Sequence, residues 1–203
     1  MNIIDFYTEN NKPIKLNVGC RNKPLPTYVN IDIDPNNKLA DLIDNGFELK
    51  TIMNESADLI EAVHMAEHLT MAEFRKALDV WYAKLKAGGM LRLSVPDATK
   101  CSALLNLTQD RDLVKSMFLG SQLNEYDFHK SMHTFESLQT DLSNAGFINI
   151  RRWNYWEVFP HNYCDSYAGS VWPHMHKIHA CDNGKIVDLG GISLSLNIEA
   201  DVI

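Results

Sequence analysis

The stretch from Lys15 to Pro35 constrains this chain more than any other. It reads as strand, tight turn, strand. Leu16 and Val18 are apolar, Gly19 breaks the run, and Val29 and Ile31 alternate in a second run that ends on Asp32. A glycine turn after one strand and an acid at the tip of the next is the layout of a nucleoside-binding site on a doubly wound sheet. Glycine lets the backbone come close to a ligand, and the acid accepts hydrogen bonds from ribose hydroxyls. Only eight residues separate Gly19 from Tyr28, and two of them are prolines, Pro24 and Pro26. A parallel crossover usually takes about a dozen residues and a helix. Eight extended residues reach roughly 26 Å, enough to return along a short strand. The spacing therefore predicts no first helix.

The remaining elements follow from periodicity and punctuation. Residues 1–14 are polar around Ile3-Ile4 and Phe6-Tyr7, with little room for a helical cap. Leu39–Ile43 reads as a third strand and Asp58–Val63 as a fourth, apolar enough for a sheet covered on both faces. Thr70-Met-Ala-Glu73 is a capping box. It opens a helix whose apolar face is Phe74, Leu78, Trp81 and Leu85, ended by Gly88-Gly89. Met90–Val95 is a fifth strand. Helices are expected near Ser102–Leu107 and Asp112–Leu119, and another follows Thr134. Phe147–Trp153 is a sixth strand. Ile192–Ile198 alternates apolar and polar residues, as an antiparallel last strand would.

At 203 residues, 45% of them apolar, the chain suits one domain, 1–203, with lid or substrate-side insertions expected at 99–133 and 154–191. The second insertion carries an aromatic load (Tyr155, Trp156, Phe159, Tyr163, Tyr167, Trp172) that suits an ordered wall over a site. A net charge of −7 argues against a nucleic-acid or anionic-membrane surface. No apolar run approaches the ~18 residues that span a bilayer. Cys20, Cys101, Cys164 and Cys181 form no CxxC pair, and no signal peptide is legible. They read as free thiols of a cytoplasmic protein.

Four ordered blocks carry a resemblance: Leu16-Asn-Val-Gly-Cys-Arg21, Asn30-Ile-Asp-Ile-Asp-Pro35, Ala57–Leu69 and Leu85–Asp97. Together they resemble the class I S-adenosylmethionine-dependent methyltransferases, in particular the small type 11-like group associated with polysaccharide and secondary-metabolite synthesis. The resemblance implies an α/β, Rossmann-like methyltransferase fold: a mostly parallel seven-stranded sheet with an antiparallel last strand and helices on both faces. It implies S-adenosylmethionine as cofactor and a small-molecule or sugar-derived acceptor. Asp32, with Ile33 beside it, would hold the ribose. Asn17, Gly19, Cys20 and Arg21 would hold the methionine end through their backbone. His64 would lie along the cofactor. Asp44 would meet the adenine, or else Asp44-Asn45-Gly46 is simply a turn. One departure stands out. The family turn reads Gly-Cys-Gly, and here Arg21 takes the place of the second glycine. Its guanidinium either pairs with the cofactor carboxylate or closes the pocket.

Methyl transfer to a hydroxyl is helped by a base of near-neutral pKa. His129 and His133 would share a face if helical, and Asp97 stands at a strand tip, so these three are the catalytic candidates. Each is equally readable as a solvated or core side chain. His64-Met-Ala-Glu-His68 has the look of a zinc motif but not the His-Glu-x-x-His spacing. His161, Cys164, His174, His176, His179 and Cys181 also match no standard finger, so no bound metal is expected. A rival reading is a non-catalytic protein of the same fold that binds a nucleoside or a protein partner. A third is an interaction module stabilised by metal on the 161–181 segment. The oligomeric expectation is a monomer or homodimer.

Overall fold

The computed structural model describes residues 3–107, 111–154, 171–172, 181–182, 185–186 and 192–203. Its centre is a seven-stranded sheet. We number the strands β1 (Lys15–Val18), β2 (Val29–Asp32), β3 (Leu42–Ile43), β4 (Ala57–Val63), β5 (Leu85–Pro96), β6 (Ile148–Arg152) and β7 (Ser195–Asp201). The spatial order is β3-β2-β1-β4-β5-β7-β6. β7 runs antiparallel to both its neighbours, β5 and β6, and the other pairings are parallel. The strand order reverses between β1 and β4, which places the topological switch point at their carboxyl ends.

The helices are α1 (Ile3–Glu9), α2 (Met71–Lys84), α3 (Ala98–Leu107), α4 (Arg111–Leu119) and α5 (Phe135–Asn144). Phe74, Leu78 and Trp81 of α2 are wholly buried, in one core with Leu16, Val18, Ile31, Ile60, Leu91, Leu93, Leu196 and Leu138. Thr70 makes the expected capping box with Glu73. A second box joins Thr134 to Ser137 at the start of α5. No helix stands between β1 and β2. Side-chain amides close the short crossover instead. Asn17 donates to the Lys23 carbonyl and to Asn30 Oδ1, which also accepts from the Leu25 N–H.

Several boundaries differ from expectation. A short N-terminal helix, α1, does form, and Ile4 anchors it in the core. The third strand shrinks to Leu42–Ile43, because β2 itself offers only Ile31 and Asp32 as partners. Helix α2 ends at Lys84 rather than at the glycines, with Leu85 extended as its C-cap. Gly88, at φ +74°, instead lies within β5, where the register against β4 shifts, and its N–H bonds the Val202 carbonyl. Helix α3 starts four residues early, at Ala98, because Asp97 caps it. The last strand is split. Ile192–Ser193 pairs with Val171–Trp172 in a separate ribbon, and β7 begins at Ser195. Among the described residues no helix is long and apolar enough to cross a membrane.

Candidate active site at the carboxyl edge of the sheet

The loop after β1 is held open by backbone geometry. Gly19 sits at φ +74°, and a Cβ there would come within 2.8 Å of Met65 Cγ. The N–H groups of Gly19 and Cys20 both reach the Ile31 carbonyl. Arg21 is left-handed at φ +46°, a conformation that glycine takes without cost and arginine does not. What holds it there is Asp32. Its Oδ2 accepts the Arg21 N–H at 2.6 Å and the Cys20 thiol at 3.9 Å, while Oδ1 accepts the Asp34 N–H at 2.9 Å. The acid at the tip of β2 thus organises the glycine loop, and its Oδ1 keeps a further lone pair. Asn37 closes the loop from outside through the Arg21 carbonyl. Burial first, then the Asp32 and Asp41 charges, push the Cys20 thiol up to about 12, so it stays protonated.

Arg21 also explains itself at the other end. Its guanidinium pairs with Asp127, from the segment between α4 and α5. Asp127 is fixed further by Ser121 and Asn124, and its carboxyl is held below the usual range: burial opposes this, but the Ser121 hydrogen bond and Arg21 outweigh it. The pair ties the 120s segment to the loop after β1. Asp127 was not among the expected residues, and no local motif marks it.

The chain leaves β4 through His64, again left-handed at φ +49°, into a 3-10 turn at Ala66–His68. His64 Nδ1 lies 2.8 Å from Glu67 Oε1 and Nε2 lies 2.8 Å from Ser195 Oγ. Both ring nitrogens are therefore engaged within the protein. Glu67 is buried and its Oε2 has no partner among the described residues. His68 and His129 stack edge to face beside it, centroids 4.9 Å apart. Burial pushes the Glu67 carboxyl up, but the surrounding imidazoles win and hold it below its ordinary value.

Of the remaining candidates, Asp97 and His133 stand side by side in an isolated parallel bridge. Residues 121–133 are not helical, so His129 and His133 share no helix face. His133 is fully buried, bonded to Ser131 Oγ at 2.9 Å and packed on Phe74. Asp97 is buried and spends Oδ1 on the N–H groups of Thr99 and Lys100, the work of a helix cap. Asp44 Oδ2 accepts from the N–H and hydroxyl of Thr51, and Oδ1 from the Asn45 N–H, while Asn45 Oδ1 accepts the Phe47 N–H two residues on, an Asx turn. Ile33 and Ile43 lie exposed at the carboxyl ends of β2 and β3, an apolar surface beside Asp32. The cysteines and histidines of 161–181 lie outside the described residues, apart from the backbone of Cys181.

No protein-family model matches the chain, and neither does the sequence of any curated protein. Solved structures do. A SAM-dependent methyltransferase from Archaeoglobus fulgidus superposes with a TM-score of 0.58 at 15% identity, over 98% of this chain and 92% of that one. A SAM-dependent methyltransferase from Thermotoga maritima, described as a possible histamine N-methyltransferase, gives 0.56 at 14%, over 94% and 82%. Human N-acetylserotonin methyltransferase in complex with SAM gives 0.52 at 12%, over 94% of this chain and 47% of that one. The fold is that of the class I S-adenosylmethionine-dependent methyltransferases. The Gly19 loop, Asp32 and the His64 turn stand at the carboxyl edge of the sheet, where open α/β sheets bind ligands. The residues present would suit S-adenosylmethionine. Asp32 retains acceptor capacity for a ribose, Ile33 and Ile43 offer an apolar surface for a base, and Met65, which fills the open face of Gly19, is a flexible side chain that repacks readily.

Proposed function

We propose that this protein transfers a methyl group from S-adenosylmethionine to a small-molecule or sugar-derived acceptor, within the type 11-like group. The observation that carries the reading is Asp32 at the tip of β2, bonded to the Arg21 N–H across a left-handed glycine loop at the switch point of a methyltransferase-type sheet. S-adenosylmethionine, when bound, supplies an activated methyl on sulfur, so the protein contributes position and exclusion of water. Asp32 and the surface of Ile33 would hold the nucleoside. The backbone at Asn17, Gly19, Cys20 and Arg21 would hold the methionine end, with the Arg21 guanidinium as counter-charge to its carboxylate. His129, half-buried at the same edge, is the better placed of the two histidines to meet an acceptor, since His133 is shut from solvent. A cytoplasmic monomer or homodimer acting on a small molecule is in keeping with this reading.

The second reading, a non-catalytic protein of this fold, draws on one observation: Arg21 is paired with Asp127 and bridges the two sides of the edge. One titration separates the two. Calorimetry with S-adenosylmethionine and S-adenosylhomocysteine on wild type, Arg21→Gly and Asp32→Ala is expected to show micromolar binding by wild type, lost with Asp32→Ala. Binding by Arg21→Gly alone would establish the blocked pocket. Silence from wild type and Arg21→Gly, with folded protein, would overturn the cofactor itself.

A further inference from the structure

We propose that Glu67, His68 and His129 form a binding site for one divalent first-row transition-metal ion at the carboxyl end of β4. Each offers one ligand atom, and these atoms all lie within 4.8 Å of one another. They come from two distant parts of the chain that the backbone locks together: the N–H groups of Lys130 and Ser131 both bond the Glu67 carbonyl, at 2.7 and 3.2 Å.

The tautomers favour an ion. His68 Nδ1 lies 3.1 Å from the Phe128 carbonyl, and His129 Nδ1 lies 2.9 Å from the Met117 carbonyl. A carbonyl only accepts, so both Nδ1 atoms carry the hydrogen. In a neutral ring Nε2 is then a bare lone pair. Backbone carbonyls that fix a histidine in this way are the usual outer support of metal-binding imidazoles. Glu67 completes the set. Its Oε1 is oriented by His64, itself held by Ser195, while Oε2 has no partner among the described residues. His129 Nε2 stands 4.0 Å from Oε1, too far for a hydrogen bond. Oε2 of the buried Glu67 carboxylate is left without a partner among the described residues, beside two rings whose Nδ1 hydrogens point elsewhere. One cation answers all three.

The donor set selects the ion. Two imidazoles and a carboxylate suit Zn²⁺, Co²⁺, Fe²⁺ or Mn²⁺, whereas Mg²⁺ and Ca²⁺ take oxygen. Bonds of about 2.0–2.2 Å require the three donors to close inward. The partly exposed His68 ring has room to do so. Three protein ligands leave a coordination position for water or a substrate oxygen, the pattern of reactive rather than structural sites. Taken with the methyl-transfer reading, that position would receive the acceptor's oxygen. This extension rests on that reading, whereas metal binding does not.

The test uses the full chain, stripped with a chelator and titrated without S-adenosylmethionine, so that failure here and failure of the cofactor reading are separate results. Zn²⁺ binding is followed by calorimetry, Co²⁺ by visible absorption, and Mg²⁺ serves as comparison. We expect one equivalent of Zn²⁺, weakened at least about tenfold in Glu67→Gln and in His129→Gln, and by about 10- to 100-fold in the outer-support variant His64→Ala. The triple variant His174→Ala, His176→Ala, His179→Ala keeps the site. Glu67 is buried, so His68→Ala, on a partly exposed ring, gives the same reading where Glu67→Gln fails to fold. No Zn²⁺ binding by wild type overturns the proposal. So does binding that survives at Glu67, His68 and His129 variants but disappears in the triple variant.

Discussion

Burial and hydrogen bonding give the two histidines after α4 different work. His133 Nε2 bonds Ser131 Oγ, its ring lies 4.7 Å from that of Phe74, and no solvent reaches it. Burial pushes its pKa below the ordinary 6.5, although the Glu67 and Asp141 charges pull the other way. The consequence for stability has a definite sign. Between the folded value and about 6.5 the unfolded chain binds more protons than the folded one, so stability rises with pH across that window and is lost as the solution is acidified through it. We expect His133→Phe to flatten this part of the stability–pH curve relative to wild type, measured by urea denaturation from pH 5 to pH 8. An unchanged slope would mean that His133 is not the group responsible.

At the scale of elements, caps and turns decide where the chain changes direction. Asp97 is both the tip of β5 and the cap of α3, with Thr99 and Lys100 donating to one carboxylate oxygen. Asp97→Ala is expected to cost about 0.5–2 kcal/mol in chemical denaturation. Asp97→Asn, which also caps well, should restore most of that. If Asp97 were a base in catalysis, Asn would restore the stability and not the activity, so paired stability and turnover measurements distinguish the roles. Local features of this kind were legible in the sequence. The Thr70 capping box, the Gly19 turn and the lack of a helix between β1 and β2 each depend on a few adjacent residues, and the structure carries all three. The start of α3 was hidden because its first turn, Ala98-Thr99-Lys100-Cys101, lacks an apolar stripe, leaving only the cap as a signal. The convergence of His129 on Glu67 and His68 was not legible either. It depends on how an irregular segment crosses the sheet edge, and no periodicity encodes that. Arg21 and Asp127 meet for the same reason.

Across the whole molecule, one polar row runs through the sheet. Asn30 stands opposite Asn17, Asn17 opposite Glu61, Glu61 opposite Arg92, Arg92 opposite Glu199, and Glu199 opposite Arg151. In every strand but β6, where Arg152 follows Arg151, the polar residue interrupts an apolar run, and only the register reveals that the interruptions align. Arg92 is the centre of the row. It donates to Glu199 at 2.7 and 2.9 Å and to Glu61 at 3.2 Å, and its guanidinium lies over the Trp153 ring. Burial raises the Glu61 carboxyl to about 7 even though Arg92 and the Tyr28 hydroxyl favour its charged form. Removing Arg92 therefore leaves a buried carboxylate without its main counter-charge. We expect Arg92→Met to lose about 3–5 kcal/mol at pH 8. The loss has a pH signature. A folded pKa above the unfolded value means that the folded chain binds the extra proton, so this variant should weaken as pH rises from about 4.5 through 7 and beyond. The double variant Glu61→Gln, Arg92→Met removes the stranded charge and should recover part of the loss, with a coupling beyond additivity. Additive losses, or a pH-independent cost in Arg92→Met, would show that the row acts through packing on Trp153 rather than through charge.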